Sequence, residues 1–273
     1  MKESSAVSKK VEVGFDPALT LPVLLEVFRL QQSDKVALIE GDESRTWGES
    51  IARIYRMANG LIALGIAPGD RVAMLSRNSM NYSEIFAATL VIGACAVPLQ
   101  SMITDQSLDL MLRDSNAKVF IVASEMAAMT QSFLADHSQI VSGGLIGIDF
   151  SDAHFCALED WLSSQSEVAP GIELNGDDEF NIIYSSGTTG IPKGIVHSQR
   201  TRQALATGLM NLGITAEAIT LIATPLYSNT TITTWWPTVC AGGTLLIMQK
   251  FDAESALQLI QQHRVSHAIL GPV

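Results

Sequence analysis

The chain has 273 residues, of which 47% are hydrophobic and 16% are charged, so it is long and apolar enough to form a sizeable core. Its formal net charge of −11 argues against nucleic-acid binding, which requires a basic surface. The first residues do not form a secretory signal, and the longest apolar stretch, residues 85–99, is too short to span a bilayer. These features exclude a nucleic-acid-binding or membrane-spanning protein.

Hydrophobic periodicity in the first 150 residues predicts helices alternating with short strands. The predicted helices cover residues 21–30, 47–64, 81–92, 105–115 and 124–134. The predicted strands cover residues 36–39, 45–47, 71–75, 96–99, 118–122 and 145–148. Thr46 is expected to cap the helix that starts at residue 47, and Gly65 to end it. Residues 151–176, with one helical turn around 158–162, are interpreted as a connector.

The same alternation continues to the end of the chain. Strands are predicted over residues 180–184, 219–223, 244–248 and 267–270. Helices are predicted over residues 200–212, 231–239 and 253–263. Strands that alternate with helices indicate an α/β fold, with mainly parallel sheets flanked by helices.

Cys95, Cys156 and Cys240 lie far apart and have no metal-ligand or redox spacing. Because disulfides are rare in the cytosol, we expect reduced thiols in a cytoplasmic protein.

The chemistry of the chain is expected in residues 182–200, which read IIYSSGTTGIPKGIVHSQR. Glycines let the backbone amides approach a ligand, the hydroxyls add donors, and Lys193 adds a cation. Several donors around one anion predict a phosphate-binding loop between two buried strands. The loop differs from G-x-x-x-x-G-K-[ST], because Gly194 follows Lys193. A flexible Ser/Gly linker is the alternative, although a linker has no need of flanking apolar strands.

The segment SSGTTGIPKG, residues 185–194, resembles the phosphate-loop signature S-S-G-T-T-G-x-P-K-G of the adenylate-forming enzymes, such as acyl-CoA synthetases, adenylation domains and luciferases. Three other segments resemble the family in order and spacing: RTWGESIARIYRMANGLIALGIAPGDRVAML, ATLVIGACAVPLQ and TPLYSNTT. The resemblance covers residues 36–273. It implies two interleaved subdomains, residues 71–212 with the loop and residues 18–70 plus 213–273, with the active site at their junction.

The resemblance also implies that residues 1–273 are an incomplete amino-terminal adenylation domain. The family's Tyr-Gly-x-Thr-Glu segment, with its magnesium-binding Glu, the ribose-binding Asp, and the small carboxy-terminal domain with the catalytic Lys do not occur in this sequence. We therefore expect no catalytic residue and no metal ligand here, and no complete reaction by this chain alone. The exposed edge of the second sheet would allow association, while the oligomeric state is not predicted.

The resemblance assigns two groups of site residues. ATP and pyrophosphate would be bound by the loop residues Ser185, Ser186, Gly187, Thr188, Thr189, Gly190 and Lys193. The acyl substrate would be contacted by Tyr227, Ser228 and Asn229. Ser228 stands where many acyl-CoA synthetases have His, so the gating role of that His does not transfer. The smaller side chain leaves room for a larger or differently oriented acyl group. Trp235 and Trp236 are interpreted as a buried helix face rather than an acyl pocket.

The activity implied is ATP-dependent activation of a carboxylic acid, fatty or otherwise bulky, to an acyl-adenylate and then to acyl-CoA. ATP and coenzyme A would be co-substrates, and Mg²⁺ would accompany ATP. Within the family, the alternative is an adenylation domain that loads a carrier protein. Outside it, the alternatives are a truncated non-catalytic nucleotide-binding protein and a phosphate-loop nucleotide hydrolase.

Overall fold

Helices and strands alternate through residues 14–185 and 192–271, the part of the chain that this computed structural model describes. The α-helices are α1 Leu21–Gln31, α2 Trp47–Ala63, α3 Met80–Val91, α4 Asp105–Ser115, α5 Leu158–Leu162, α6 Gln199–Met210, α7 Asn229–Ala241 and α8 Ala253–His263. The strands are β1 Val36–Glu40, β2 Glu43–Thr46, β3 Arg71–Leu75, β4 Cys95–Pro98, β5 Val119–Ala123, β6 Leu145–Ile148, β7 Cys156–Ala157, β8 Glu179–Ser185, β9 Lys193–Ser198, β10 Ile219–Ile222, β11 Thr244–Ile247 and β12 His267–Ala268.

The strands form two sheets. One has seven strands in the order β7-β6-β5-β3-β4-β8-β9, and the other has five in the order β12-β10-β11-β1-β2. Neighbouring strands are parallel except for the β8–β9 and β1–β2 pairs, which are antiparallel. The predicted fold class, mainly parallel sheets flanked by helices, is confirmed.

Alternate residues of the central strands face different cores, because successive side chains of a strand point to opposite faces. In β3, Val72 and Met74 join the large core that also contains α3, whereas Ala73 and Leu75 join the core that contains α4. In β11, Leu246 packs in a third core with residues of α8. The two sheets therefore share the large core, and α3, buried along almost its whole length, lies inside it.

The start of α2 shows how a local sequence pattern sets an element boundary. The Thr46 hydroxyl accepts a hydrogen bond from the Glu49 backbone N–H, and the Glu49 carboxylate accepts one from the Thr46 N–H. This reciprocal pair satisfies two amides that have no partner within the helix. The predicted cap at Thr46 is confirmed.

The predicted continuous helix over residues 124–134 is wrong. The segment forms two short 3₁₀ turns, Ser124–Met129 and Leu134–Asp136. Thr130, which is fully buried, donates its hydroxyl hydrogen bond to the Ala127 carbonyl. A hydroxyl that binds a nearby carbonyl competes with helical hydrogen bonding, which explains the break.

Cys95, Cys156 and Cys240 are free, and only Cys156 is exposed. Among the described residues, no helix combines the length and the apolar character needed to cross a bilayer.

A carboxylate on α1 provides a prediction for pH dependence. Glu26 accepts hydrogen bonds from Arg29 Nη2 at 2.8 Å and from the Tyr55 hydroxyl at 2.7 Å. The Arg29 hydrogen bond, followed by that of Tyr55, lowers the pKa of Glu26. The ionised Glu26 carboxylate therefore stabilises the folded state above the carboxyl pKa of the unfolded chain, about 4.3. This stabilisation is lost as pH falls through the lower pKa of the folded state.

We expect Glu26→Gln to lower the free energy of unfolding at pH 7 by less than about 1 kcal/mol, because solvent screens this partly exposed group. The deficit should shrink as pH approaches 3, which urea unfolding at several pH values measures. Tyr55→Phe, which keeps the Arg29 ion pair, should give a smaller deficit. A deficit that stays constant between pH 7 and pH 3 would contradict the assignment.

Candidate functional site

Strands β8 and β9 bracket the predicted phosphate loop. Ser185, at the end of β8, pairs with Lys193, at the start of β9, and both are exposed. Ser186, Gly187, Thr188, Thr189 and Gly190 lie outside the described residues. The prediction that both flanking strands are buried holds for β8 but is wrong for β9, where Ile195 and Val196 are about half exposed. β9 is the edge strand of its sheet and pairs with β8 alone among the described strands, so no described strand covers its other side.

The end of β8 is held from two sides. Gln100, which follows β4, donates its side-chain amide to the Tyr184 carbonyl at 2.7 Å. The Tyr184 hydroxyl donates to Asp114 Oδ2 at 2.6 Å and lies 3.2 Å from the Met111 carbonyl. Burial, and then the hydrogen bond to Asp114, raise the pKa of Tyr184, so this phenol stays neutral. Ser185 therefore follows a residue, Tyr184, whose backbone and side chain are both fixed by hydrogen bonds.

The predicted acyl segment reaches the same edge of the sheet. Tyr227 is half-buried, and its phenol lies close enough to the side chain of Ser101, the residue after Gln100, for its pKa to respond to it, while burial, the larger cause, raises that pKa. Tyr82 lies close enough for its pKa to respond to Tyr227, although burial is the larger cause of its rise. Because Gln100 and Ser101 are adjacent, the end of β8 and the predicted acyl segment lie near each other. Both are at carboxyl ends of parallel strands, where α/β folds bind ligands.

Asn78 joins the two sheets at this edge, and the sequence analysis missed it. Its side-chain amide donates to the Thr224 carbonyl at 2.9 Å and to the Met248 carbonyl at 3.2 Å. Its side-chain oxygen accepts from the Leu226 N–H at 2.8 Å. Asn78 follows β3, so an asparagine shortly after a buried strand was the available signal. It holds the acyl segment in place.

Ser228 and Asn229 each have a defined partner. The Ser228 hydroxyl caps α7 by accepting a hydrogen bond from the Thr230 N–H at 3.2 Å. Asn229 is exposed, but its side-chain oxygen accepts from Nη1 of the buried Arg202 at 2.9 Å. Asn229 is therefore tied to the buried Arg202 of α6, whereas Tyr227 lies near Ser101.

Trp235 and Trp236 are 1% and 2% exposed, which agrees with their interpretation as a buried helix face. Trp235 donates its indole N–H to Ser83, and Trp236 donates to the Arg202 carbonyl.

The described residues contain no group of three or more His, Cys, Asp or Glu side chains that could hold a metal ion.

Gly194 provides a prediction at this site. A Cβ on Gly194 would lie 2.9 Å from Ile182 Cγ2 and 3.3 Å from Tyr184 Cε1. Ile182 is β-branched and Tyr184 is held by Asp114, so neither can move easily. We expect Gly194→Ala to lower the free energy of unfolding by about 1–3 kcal/mol, as other overpacked substitutions do. Urea unfolding measures the loss.

Gly208→Ala is the matched control. Gly208 lies inside α6, and apart from its chain neighbours and the backbone of its own helix, no heavy atom stands within 4 Å of where its Cβ would be. Alanine is favoured over glycine in a helix by about 1 kcal/mol, so this variant should be more stable. Equal effects of the two substitutions would show that close packing against Gly194 is unimportant.

Comparison with known proteins identifies the family. A model of the AMP-binding enzyme family matches residues 25–273. The chain is 33% identical over 227 residues to the long-chain-fatty-acid–CoA ligase FadD13 of Mycobacterium tuberculosis, covering 82% of this chain and 44% of that protein. It is 31% identical over 254 residues to 4-coumarate–CoA ligase 3 of Arabidopsis thaliana, covering 88% and 44%.

Among solved structures, the inhibitor-bound N-terminal domain of FACL13 from Mycobacterium tuberculosis superposes with a TM-score of 0.83 at 29% identity, covering 91% of this chain and 62% of that one. The chain belongs to the AMP-binding enzyme family, and the resemblance described from its motifs is confirmed. It spans less than half the length of the two CoA ligases above.

Proposed function

We propose that this chain supplies the phosphate loop and part of the acyl site of an ATP-dependent acid–thiol ligase. The full-length protein would transfer the AMP moiety of ATP to a carboxylate, releasing pyrophosphate, and then transfer the acyl group to the thiol of coenzyme A, releasing AMP. Membership of the AMP-binding family and the CoA-ligase relatives support this reaction class.

One observation supports the proposal most directly. Gln100 donates a hydrogen bond to the Tyr184 carbonyl, one residue before the loop, and the side chain of the adjacent Ser101 lies close enough to Tyr227 of the predicted acyl segment to affect its pKa. An adenylating enzyme needs its triphosphate and its carboxylate side by side, because the carboxylate attacks the α-phosphate. Tyr184 and Tyr227 are about forty residues apart in sequence. Gln100 and Ser101, which are adjacent in a third segment, lie beside both of them.

The loop's contribution would be electrostatic. Lys193 and the loop residues Ser185, Ser186, Gly187, Thr188, Thr189 and Gly190 would hold the β- and γ-phosphates. Fixed donors around these phosphates would stabilise the charge on the departing pyrophosphate. The proposal assigns no proton transfer to this chain.

Tyr227, Ser228 and Asn229 would contact the acyl group. Ser228 is small, and its hydroxyl is engaged in the cap of α7. This arrangement favours a fatty or otherwise bulky acid. The acid substrate, ATP with Mg²⁺ and coenzyme A remain proposals for the full-length protein, as does a cytoplasmic location.

The division into subdomains at residues 71–212, and 18–70 plus 213–273, is retained as a proposal. The strands β3 to β9 build the seven-stranded sheet, and β1, β2 and β10 to β12 build the other, which supports it.

Exchange of labelled pyrophosphate into ATP by the full-length protein, measured across a panel of carboxylic acids, tests the function. We expect exchange that depends on both ATP and an acid, followed by thioester formation when coenzyme A is added. Exchange without thioester formation would redirect the second step to a carrier protein. ATP hydrolysis that is indifferent to acid, or nucleotide binding without exchange, would overturn the proposal.

A further inference from the structure

Arg202, in the first turns of α6, is a buried cation that the proposed reaction does not use. Its side chain is only 2% exposed. Nε donates to Asn181 Oδ1 at 3.1 Å, and Nη1 donates to Asn229 Oδ1 at 2.9 Å. The guanidinium carbon lies 5.8 Å from the centre of the Phe180 ring. These contacts place the guanidinium between β8 and the start of α7.

No described carboxylate neutralises this charge. Arg202 forms no ion pair with any residue in 14–185 or 192–271, and Nη2 is buried without a hydrogen-bond partner. Burial lowers the pKa of Arg202 to about 10, so the side chain stays charged at neutral pH. A buried charge without an opposite charge is strongly unfavourable, and an anion that reached it would relieve that penalty.

The surroundings of Arg202 also present unused nitrogen atoms. Asn181 uses its oxygen for Arg202, which leaves its Nδ2 buried and unpartnered. His197 pairs with Asn181 across β8 and β9, so both side chains lie on the same face, and its Nδ1 is also unpartnered. Burial, and then the Arg202 charge, lower the pKa of His197. The cluster of Arg202, Asn181 and His197 has spare donors and no acid, which is the composition of an anion site.

The location of the cluster suggests which anion. Asn229, the residue that Arg202 contacts through Nη1, belongs to the proposed acyl segment and is exposed, so it lies between the cluster and the surface. Asn181 precedes Ser185 by four residues of β8, or about 13 Å along a strand. The cluster is therefore well separated from Ser185, the last described residue before the loop. A group at the far end of the acyl chain fits that separation.

We propose that Arg202 and Asn181 bind a second carboxylate carried by the acid substrate, at the end opposite to the carboxylate that is activated. This inference rests on the proposed function and specifies its substrate class as dicarboxylic acids. Arg202 Nη2 and Asn181 Nδ2 would each donate to the distal carboxylate. Hydrogen bonds between a guanidinium and a carboxylate are charge-assisted, so they are stronger than neutral ones and favour an acid over a methyl group at this position.

The test compares α,ω-dicarboxylic acids of increasing length with monocarboxylic acids of the same length, in pyrophosphate exchange by the full-length protein. We expect the wild-type protein to prefer the dicarboxylic acid in kcat/KM, with a maximum at one chain length. Arg202→Met should lower kcat/KM for the dicarboxylic acids by about ten- to a hundredfold, the effect of losing a charged hydrogen-bonding group. It should leave the monocarboxylic acids unchanged or improve them. Arg113→Met, an exposed arginine paired with Asp109 on α4, should leave both unchanged.

The wild-type comparison keeps the inference testable even if Arg202→Met fails to fold. A wild-type protein that prefers monocarboxylic acids at every length, or an Arg202→Met variant that weakens both classes equally, would overturn the inference while leaving the ligase function intact. Absence of exchange with any acid would instead refute the proposed function. In that case, a thermal shift of the wild-type protein by dicarboxylic acids, absent with monocarboxylic acids and lost in Arg202→Met, would still support the anion site, and its absence would refute it.

Discussion

Lys193→Ala in the full-length protein is expected to lower pyrophosphate exchange by about a hundred- to a thousandfold, the loss measured when one fixed donor to a developing negative charge is removed. Lys193 is exposed at the first position of β9, opposite Ser185. Its ammonium is therefore available to a ligand at the loop. Because the side chain is exposed, the unfolding transition should stay unchanged.

Lys250→Ala is the matched control, since Lys250 is also an exposed lysine and lies away from the loop, shortly after β11. Exchange by this variant should equal that of the wild-type protein. A Lys193→Ala variant that exchanges pyrophosphate at the wild-type rate would remove Lys193 from the phosphate site. Lys193→Arg should retain only part of the activity, because the planar guanidinium group of arginine does not reproduce the compact ammonium of lysine.

Glu84→Leu is expected to lower the free energy of unfolding by about 3–5 kcal/mol, the range for removing one partner of a buried ion pair. Glu84, on α3, is 1% exposed. Its carboxylate accepts from Arg45 at 2.6 Å, from Arg53 at 3.1 Å and from the Ser50 hydroxyl at 2.9 Å. The substitution would leave Arg45 without its opposite charge, whereas Arg53 would keep its ion pair with Glu159.

Combining Glu84→Leu with Arg45→Met should recover most of the lost stability, because the pair is then replaced by apolar side chains. Glu254→Leu, at an exposed position at the start of α8, should change stability by less than about 0.5 kcal/mol. Urea unfolding of the variants measures all of these differences. Equal destabilisation by Glu84→Leu and by the double variant would show that lost packing, and not the unpaired charge, is responsible.

The network around Glu84 also explains how the fold supports the site. Arg45 lies on β2, Arg53 on α2 and Glu84 on α3, so one carboxylate joins the edge of the five-stranded sheet to helices of the shared core. Asn78, just before α3, donates side-chain hydrogen bonds to the Ile222 carbonyl at the end of β10 and to the Met248 carbonyl just after β11. The relative placement of the two sheets at the candidate site is therefore fixed by polar contacts as well as by the apolar core.

Element positions could be read from the sequence wherever the signals were local. Arg71–Leu75, Asp105–Ser115, Leu145–Ile148 and Ala253–His263 begin and end where the apolar pattern predicted. Thr46 and Glu49 lie three residues apart and make their hydrogen bonds within one helical turn, so their letters suffice to predict the cap. The break at Thr130 was missed because helical periodicity alone does not reveal a hydroxyl that binds the Ala127 carbonyl.

The family and the position of the loop could also be predicted from the sequence, because SSGTTGIPKG is a contiguous pattern. The proximity of Ser101 to Tyr227 and the burial of Arg202 could not be predicted from the sequence, because burial and long-range contacts depend on which strands become neighbours. The first five residues of α6, QRTRQ, are all polar, yet packing of α6 against α7 buries Arg202 beside Asn181 and Asn229. Local chemistry thus specified the elements and the loop, whereas the pairing of distant strands decided which side chains meet at the site and which charge is left without a partner.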